Sequence, residues 1–205
     1  MSRAQDYLRQ IASILERYEL VPQVTEEMMQ QGCKKLREEP GITTLDGAFL
    51  VLEAWMPDRC VRLGSDVHNN EDAAQALRAL AKATGGEWRL TDVSATVVSE
   101  TEEGRMEAID FVSQGKPMRW QHTVSSQDGV SSGWAEAFMA WLMEFMETSL
   151  SGMFWGPLLD NRTLLLCYLP EPAAMELMMV QSQLEAEFDM PSDYGDAFRV
   201  FVDAL

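Results

Sequence analysis

SSGWAEAFMAWLMEFMETSL, from Ser131 to Leu150, is the longest uninterrupted apolar helical pattern in the chain. At 3.6 residues per turn, Trp134, Phe138, Trp141, Leu142, Phe145 and Ser149 share one stripe, and Met139, Met143, Met146 and Leu150 form a second beside it. Glu136, Glu144, Glu147 and Thr148 make the only polar strip. A helix of this kind is solvated along one narrow edge and needs a core around the rest, so the flanking sequence must supply a sheet or further helices.

Immediately upstream the period falls from 3.6 to 2. Trp88–Val98 (WRLTDVSATVV), Arg105–Val112 (RMEAIDFV) and Pro117–Val124 (PMRWQHTV) alternate apolar and polar residues, and the turn-rich SETEEG and SQGK separate them. A three-stranded antiparallel meander is the simplest reading, with Pro117 at a first position or on an edge. Downstream, MFWGPLLDNRTLLLCYL reads as a hairpin around Asp160-Asn161. Pro170-Glu171-Pro172 then ends a strand and opens a helix that runs to about Phe188. Ser192 caps a closing helix lined by Tyr194, Phe198, Phe201, Val202 and Leu205.

The first 84 residues carry four helical patterns. One spans 2–20 with Tyr7, Ile11, Ile14, Leu15 and Tyr18 on a face; a polar one follows Thr25 and is weakened by Gly32. A third, LDGAFLVLEAWM, stops at Pro57, and the fourth follows Asn70 and ends at Gly85. The fold class expected is therefore α+β: a helical N-terminal half, then an antiparallel sheet (meander plus hairpin) packed on the long helix and the C-terminal helices. The change of period divides the chain into a helical lobe, 1–84, and an α+β lobe, 85–205. One continuous domain fits as well as two.

Charge narrows the class of partner. Of the 205 residues, 16 are basic and 33 acidic, a net −17, and residues 85–205 hold −14 of it. Such a surface disfavours nucleic acid and anionic membranes and attracts a basic protein, although plain solubility would be served equally. The charged start MSRAQDYLRQ does not read as a signal peptide, and no run approaches the length of a membrane span. Cys33, Cys60 and Cys167 are odd in number and widely spaced, which suits thiols packed as small hydrophobes in a reducing, cytoplasmic setting.

Motifs that would carry catalysis are weak. Gly129-Val130-Ser131-Ser132-Gly133 matches G-x-S-x-G, but no strand runs into the serine and both histidines, His68 and His122, precede it. Ser131 or Ser132 reads better as a helix N-cap. His68 sits with Asp66, Glu71 and Asp72 in one polar loop, where the acids already suit a helix start; metal binding there is a lesser alternative. His122 shares a strand face with Trp120 and Val124 and reads as a packed residue. No phosphate-binding loop occurs, and no cofactor, metal or catalytic residue is expected.

Fourteen methionines remain to be explained. Met fills cores, and it also serves on surfaces that bind proteins. From Gln121 onward, 13 acidic residues face only Arg162 and Arg199, so many of these methionines stand among carboxylates. That mixture suits a basic, partly apolar protein partner.

Together, TGGEWRL (84–90), KPMRWQHTV (116–124), WAEAFMAWLMEFME (134–147) and NRTLLLCYLPEPAAMELM (161–178) resemble, in layout, the immunity proteins of bacterial polymorphic or contact-delivered toxin systems. The resemblance spans about 84–180 and carries no diagnostic motif or site residue with it. It implies a protein that blocks one cognate toxin, often by covering it with acidic residues. The carboxylates expected at such a contact are Glu136, Glu144, Glu147, Asp160 and Glu171, with Trp155 as a candidate aromatic anchor, though core packing is the commoner role for such a residue. A secretion chaperone for a client protein is the alternative, and a hydrolase using the Ser131 or His68 region the third reading.

Overall fold

The computed structural model describes residues 3–38, 44–64, 69–102, 104–125, 132–159 and 163–187. The closing helix expected after Ser192, and the Asp66–His68 and Gly129–Ser131 segments, lie outside them. The protein is α+β, with six α-helices and two sheets among the described residues. In chain order these are α1 Arg3–Arg17, α2 Glu26–Glu38, α3 Thr44–Trp55, β1 Cys60–Gly64, α4 Asn70–Ala83, β2 Leu90–Thr101, β3 Gly104–Ser113, β4 Lys116–Ser125, α5 Ser132–Ser149, β5 Gly152–Trp155, β6 Leu158–Leu159, β7 Thr163–Pro170 and α6 Glu171–Glu187. One sheet has the order β1-β7-β5, with β6 also paired to β7, and the other is the meander β2-β3-β4.

The division into compact units departs from a cut at Gly85. Residues 1–60, 152–161 and 165–205 form the first unit, and 61–151 with 162–164 the second. The cause lies in β7. Its LLCYL run, Leu165–Leu169, is buried on both faces, as a central strand requires. Leu165, Cys167 and Leu169 enter one core with Leu8, Ile11 and Leu15 of α1 and Phe49 and Leu52 of α3. Tyr168, on the opposite face, packs its ring 4.9 Å from Phe154 of β5 and receives a hydrogen bond from the Gly152 N–H at 3.0 Å. The hairpin and α6 therefore fold back onto the N-terminal helices.

Two glycines of the first unit permit close approaches. A Cβ on Gly156 would stand 1.6 Å from the Leu165 carbonyl oxygen, so the chain between β5 and β6 passes against β7 only without a side chain. Gly32, which reads in sequence as a weak point of α2, is buried where a Cβ would come 3.3 Å from the Trp55 indole. That ring donates from Nε1 to the Met28 carbonyl at 2.5 Å and ties α3 to α2.

The second unit is built on the meander. Its two-residue β3–β4 turn, Gln114-Gly115, has both φ angles positive, the geometry that matches strand twist in a tight hairpin. Ile109 and Phe111 of β3 and Trp120 of β4 share a buried face, on which α5 sets Phe138 against Trp120 at 5.2 Å and Trp141 against Phe111 at 5.9 Å. Thr84 ends α4: its hydroxyl donates to the Ala81 carbonyl and accepts from the Trp88 N–H, and the Trp88 indole donates to Ser113 Oγ at 3.0 Å. Pro117 is exposed and lies on the edge strand β4, where its missing N–H costs no ladder bond.

On α5, Phe138, Leu142 and Met146 are buried while Met143 is 38% exposed, so the second apolar stripe of the sequence divides between core and solvent. Ala140, Met143, Glu144, Glu147, Thr148 and Ser149 are all exposed. The solvated edge is thus broader than the polar residues alone indicate.

Candidate functional site

Helix α6 is apolar on two sides. Ala173, Ala174 and Leu177 enter the core of the first unit, at the spacing of one helical face. Met175, Met178 and Met179 stand on the other side, 52%, 39% and 61% exposed, the largest such group among the described residues. With Ser182 they line a shallow hollow of about 290 Å³. Nothing in local geometry requires methionine here, since exposed helix positions are filled as stably by Lys, Glu or Gln.

The rim of this face is fixed by Glu176. Its carboxylate takes hydrogen bonds from Arg17 Nη1 at 2.6 Å and from the Tyr18 hydroxyl at 2.8 Å, which pins the end of α1 onto α6. Donation to Glu176, with smaller contributions from burial and from the carboxylate's charge, holds the Tyr18 phenol above its ordinary range. Glu171 is exposed at the first position of the helix, where its charge also complements the helix dipole.

Formal charge follows the same unit. Counted over the ranges of the two units, the first holds 8 basic and 19 acidic residues (−11) and the second 8 and 14 (−6). Among the described residues, Glu171, Glu176, Glu185 and Glu187 of α6 bring acidity from beyond Gly85 into the unit of the N-terminal helices.

The residues singled out in the sequence fall in both units. Glu144 and Glu147 are exposed on α5 of the second unit, and the Glu136 side chain lies outside the description. Trp155 and Glu171 belong to the first, and Asp160 lies outside the described residues. Trp155 is half-buried with its ring 4.5 Å from that of the buried Phe49, edge to face, so much of its surface is engaged in the core. What the sequence reading missed is that the α6 methionines Met175, Met178 and Met179, spaced i, i+3 and i+4, are exposed while Ala173, Ala174 and Leu177 are buried.

Other features are less suited to bind a partner. A cleft of about 800 Å³ between α1 and α2 is lined by apolar residues such as Ala12 and Met29 together with both signs of charge, including Arg9, Glu16 and Lys34. In the second unit, Glu107 is buried: Oε2 accepts the Asn70 N–H at 3.1 Å and Oε1 is ion-paired with Arg105. The residue reads as polar and outward in RMEAIDFV but points inward with Ile109 and Phe111. Opposite it across the strands, His122 stacks on Trp120 at 5.9 Å. Oε2 holds α4, while Oε1 faces the Arg105 guanidinium without accepting a hydrogen bond, so the group acts as a brace. The Asn69 side chain completes the cap of α4 by accepting from the backbone N–H groups of Glu71 and Asp72, which lie in the first turn of that helix. Among the described residues, no group of three or more His, Cys, Asp or Glu could hold a metal ion. No helix among them is long and apolar enough to cross a membrane.

No family model matches the chain, and neither a curated protein nor a solved structure matches it.

Proposed function

We propose that the chain is a binding protein of the immunity type, which neutralises a basic partner, a cognate bacterial toxin, in the cytoplasm of the cell that makes both. The observation that carries this reading is the exposed methionine face of α6, standing in the more acidic unit of a chain with net charge −17. Flexible methionine side chains adapt to a partner's apolar contour, while surrounding carboxylates steer a basic surface toward it and exclude nucleic acid. Glu144 and Glu147 would add steering from the second unit.

A chaperone holding a partly folded client has use for the same apolar face. The two readings part on the state of the partner: a toxin is bound folded and loses its activity, whereas a client is bound before it folds. Co-expression with the product of an adjacent toxin-like gene tests the proposal. Restored growth together with a co-purifying complex of folded partner supports neutralisation; unrelieved toxicity with no complex removes it.

A further inference from the structure

The three cysteines are not equivalent. Cys60 opens β1 and Cys167 lies in β7, the neighbouring strand of the sheet, and their side chains are hydrogen-bonded to each other within the first unit. Cys167 belongs to the buried core of that unit and Cys60 packs against the same core, so the two thiols share one apolar setting on adjacent strands. Cys60 is half-buried and Cys167 fully buried, so Cys60 is the thiol more open to solvent. Burial, then the hydrogen bond with Cys60 and the charges of Cys60 and Glu53, push the Cys167 thiol well up. Cys33, on α2, lines the α1–α2 cleft.

We propose that Cys60 and Cys167 form an oxidation site, converted by a hydroperoxide or a small-molecule disulfide into a cross-strand disulfide between β1 and β7. With hydrogen peroxide, the Cys60 thiolate sulfur attacks one peroxide oxygen, the O–O bond breaks, and Cys60 sulfenic acid and hydroxide form. The Cys167 sulfur then attacks the Cys60 sulfur, the S–OH bond breaks, and water leaves with the Cys167 proton. Two thiols have lost two electrons and the peroxide has gained them. The bridge encloses all the chain from 61 to 166, a long loop whose closure restricts the unfolded state strongly.

The test uses the full-length chain, treated with hydrogen peroxide and separately with diamide, followed by peptide mass mapping without reduction and by thermal unfolding. The expected result is one intramolecular link joining the Cys60 and Cys167 peptides, with Cys33 free. Tm should rise by about 5 °C and return on reduction by dithiothreitol. Cys60→Ser should abolish both changes, and Cys33→Ser neither. Free thiols at 60 and 167 after treatment, sulfinic acid at Cys60, or a link that recruits Cys33 would overturn the assignment.

Discussion

Glu107, on the central strand of the meander, closes the first turn of α4 by accepting the Asn70 backbone N–H at 3.1 Å while the Arg105 guanidinium faces its other oxygen. A buried carboxylate used in this way is held by strand, helix and ion pair together. Glu107→Ala should cost about 3 kcal/mol, since it leaves a helix N–H unpaired and removes the partner of Arg105. Glu107→Gln, which keeps an acceptor, should lose less than half as much. Urea denaturation of both variants checks this, and equal losses would show that the Asn70 bond has no role.

Asp110 and Arg119 face each other across β3 and β4, with Nε–Oδ1 at 2.6 Å and Nη2–Oδ2 at 2.8 Å. The hydrogen bond from Arg119, aided by its charge and opposed by slight burial, lowers the Asp110 pKa. A depressed carboxyl pKa contributes stability that is present above the unfolded value and fades as pH falls through the folded one. The pair is largely exposed, so the effect on stability is small. NMR titration of the Asp110 carboxyl should give a midpoint below the ordinary aspartate value, returning toward it in Arg119→Gln; a midpoint that does not move would refute the pairing.

Trp155 separates core from interface. Its edge-to-face contact with Phe49 at 4.5 Å joins β5 to α3. Trp155→Ala should destabilise by about 3 kcal/mol, whereas a residue kept only for a partner would change stability by no more than about 0.5 kcal/mol. Denaturant midpoints with unchanged m-values decide between them.

Glu144 and Glu147 are exposed and support no described hydrogen bond through their carboxylates. Reversal of both to lysine should leave the unfolding midpoint in place and slow association with a basic partner several-fold at low salt. The difference should shrink in half-molar salt, where charges farther apart than a few ångströms are screened. Stopped-flow association rates unaffected by the reversal would place the contact elsewhere.

Much of the architecture is legible in the sequence. The meander follows from the alternation of apolar and polar residues and from the SQGK turn, and the helices from their spacing and caps; Asn69 and Thr25 accept from backbone N–H groups where their types indicate. The rest depends on contacts that a linear pattern does not carry. β1 is only Cys60–Gly64, too short a run to show a period. The strand β7 is apolar on both faces, which marks it as central but does not say which helices cover it. Glu107 is hidden because a carboxylate in an alternating strand normally marks the solvent face, and only the approach of α4 gives it a reason to turn inward. The site is harder still. Helix α6 has Met, Ala and Leu on every side, so periodicity could not tell its core face from its free one until Ala173, Ala174 and Leu177 had found α1 and α3.

The central claim rests on that free face. The most direct measurement is the affinity of the full-length chain for the folded product of the adjacent toxin-like gene, compared with that of Met175→Ser/Met179→Ser. The two side chains are mostly exposed, so the double variant should fold with stability within about 1 kcal/mol of the wild type. Binding should weaken at least about tenfold, the loss of roughly 1.4 kcal/mol of contact. Undiminished affinity in a normally folded variant would contradict the account.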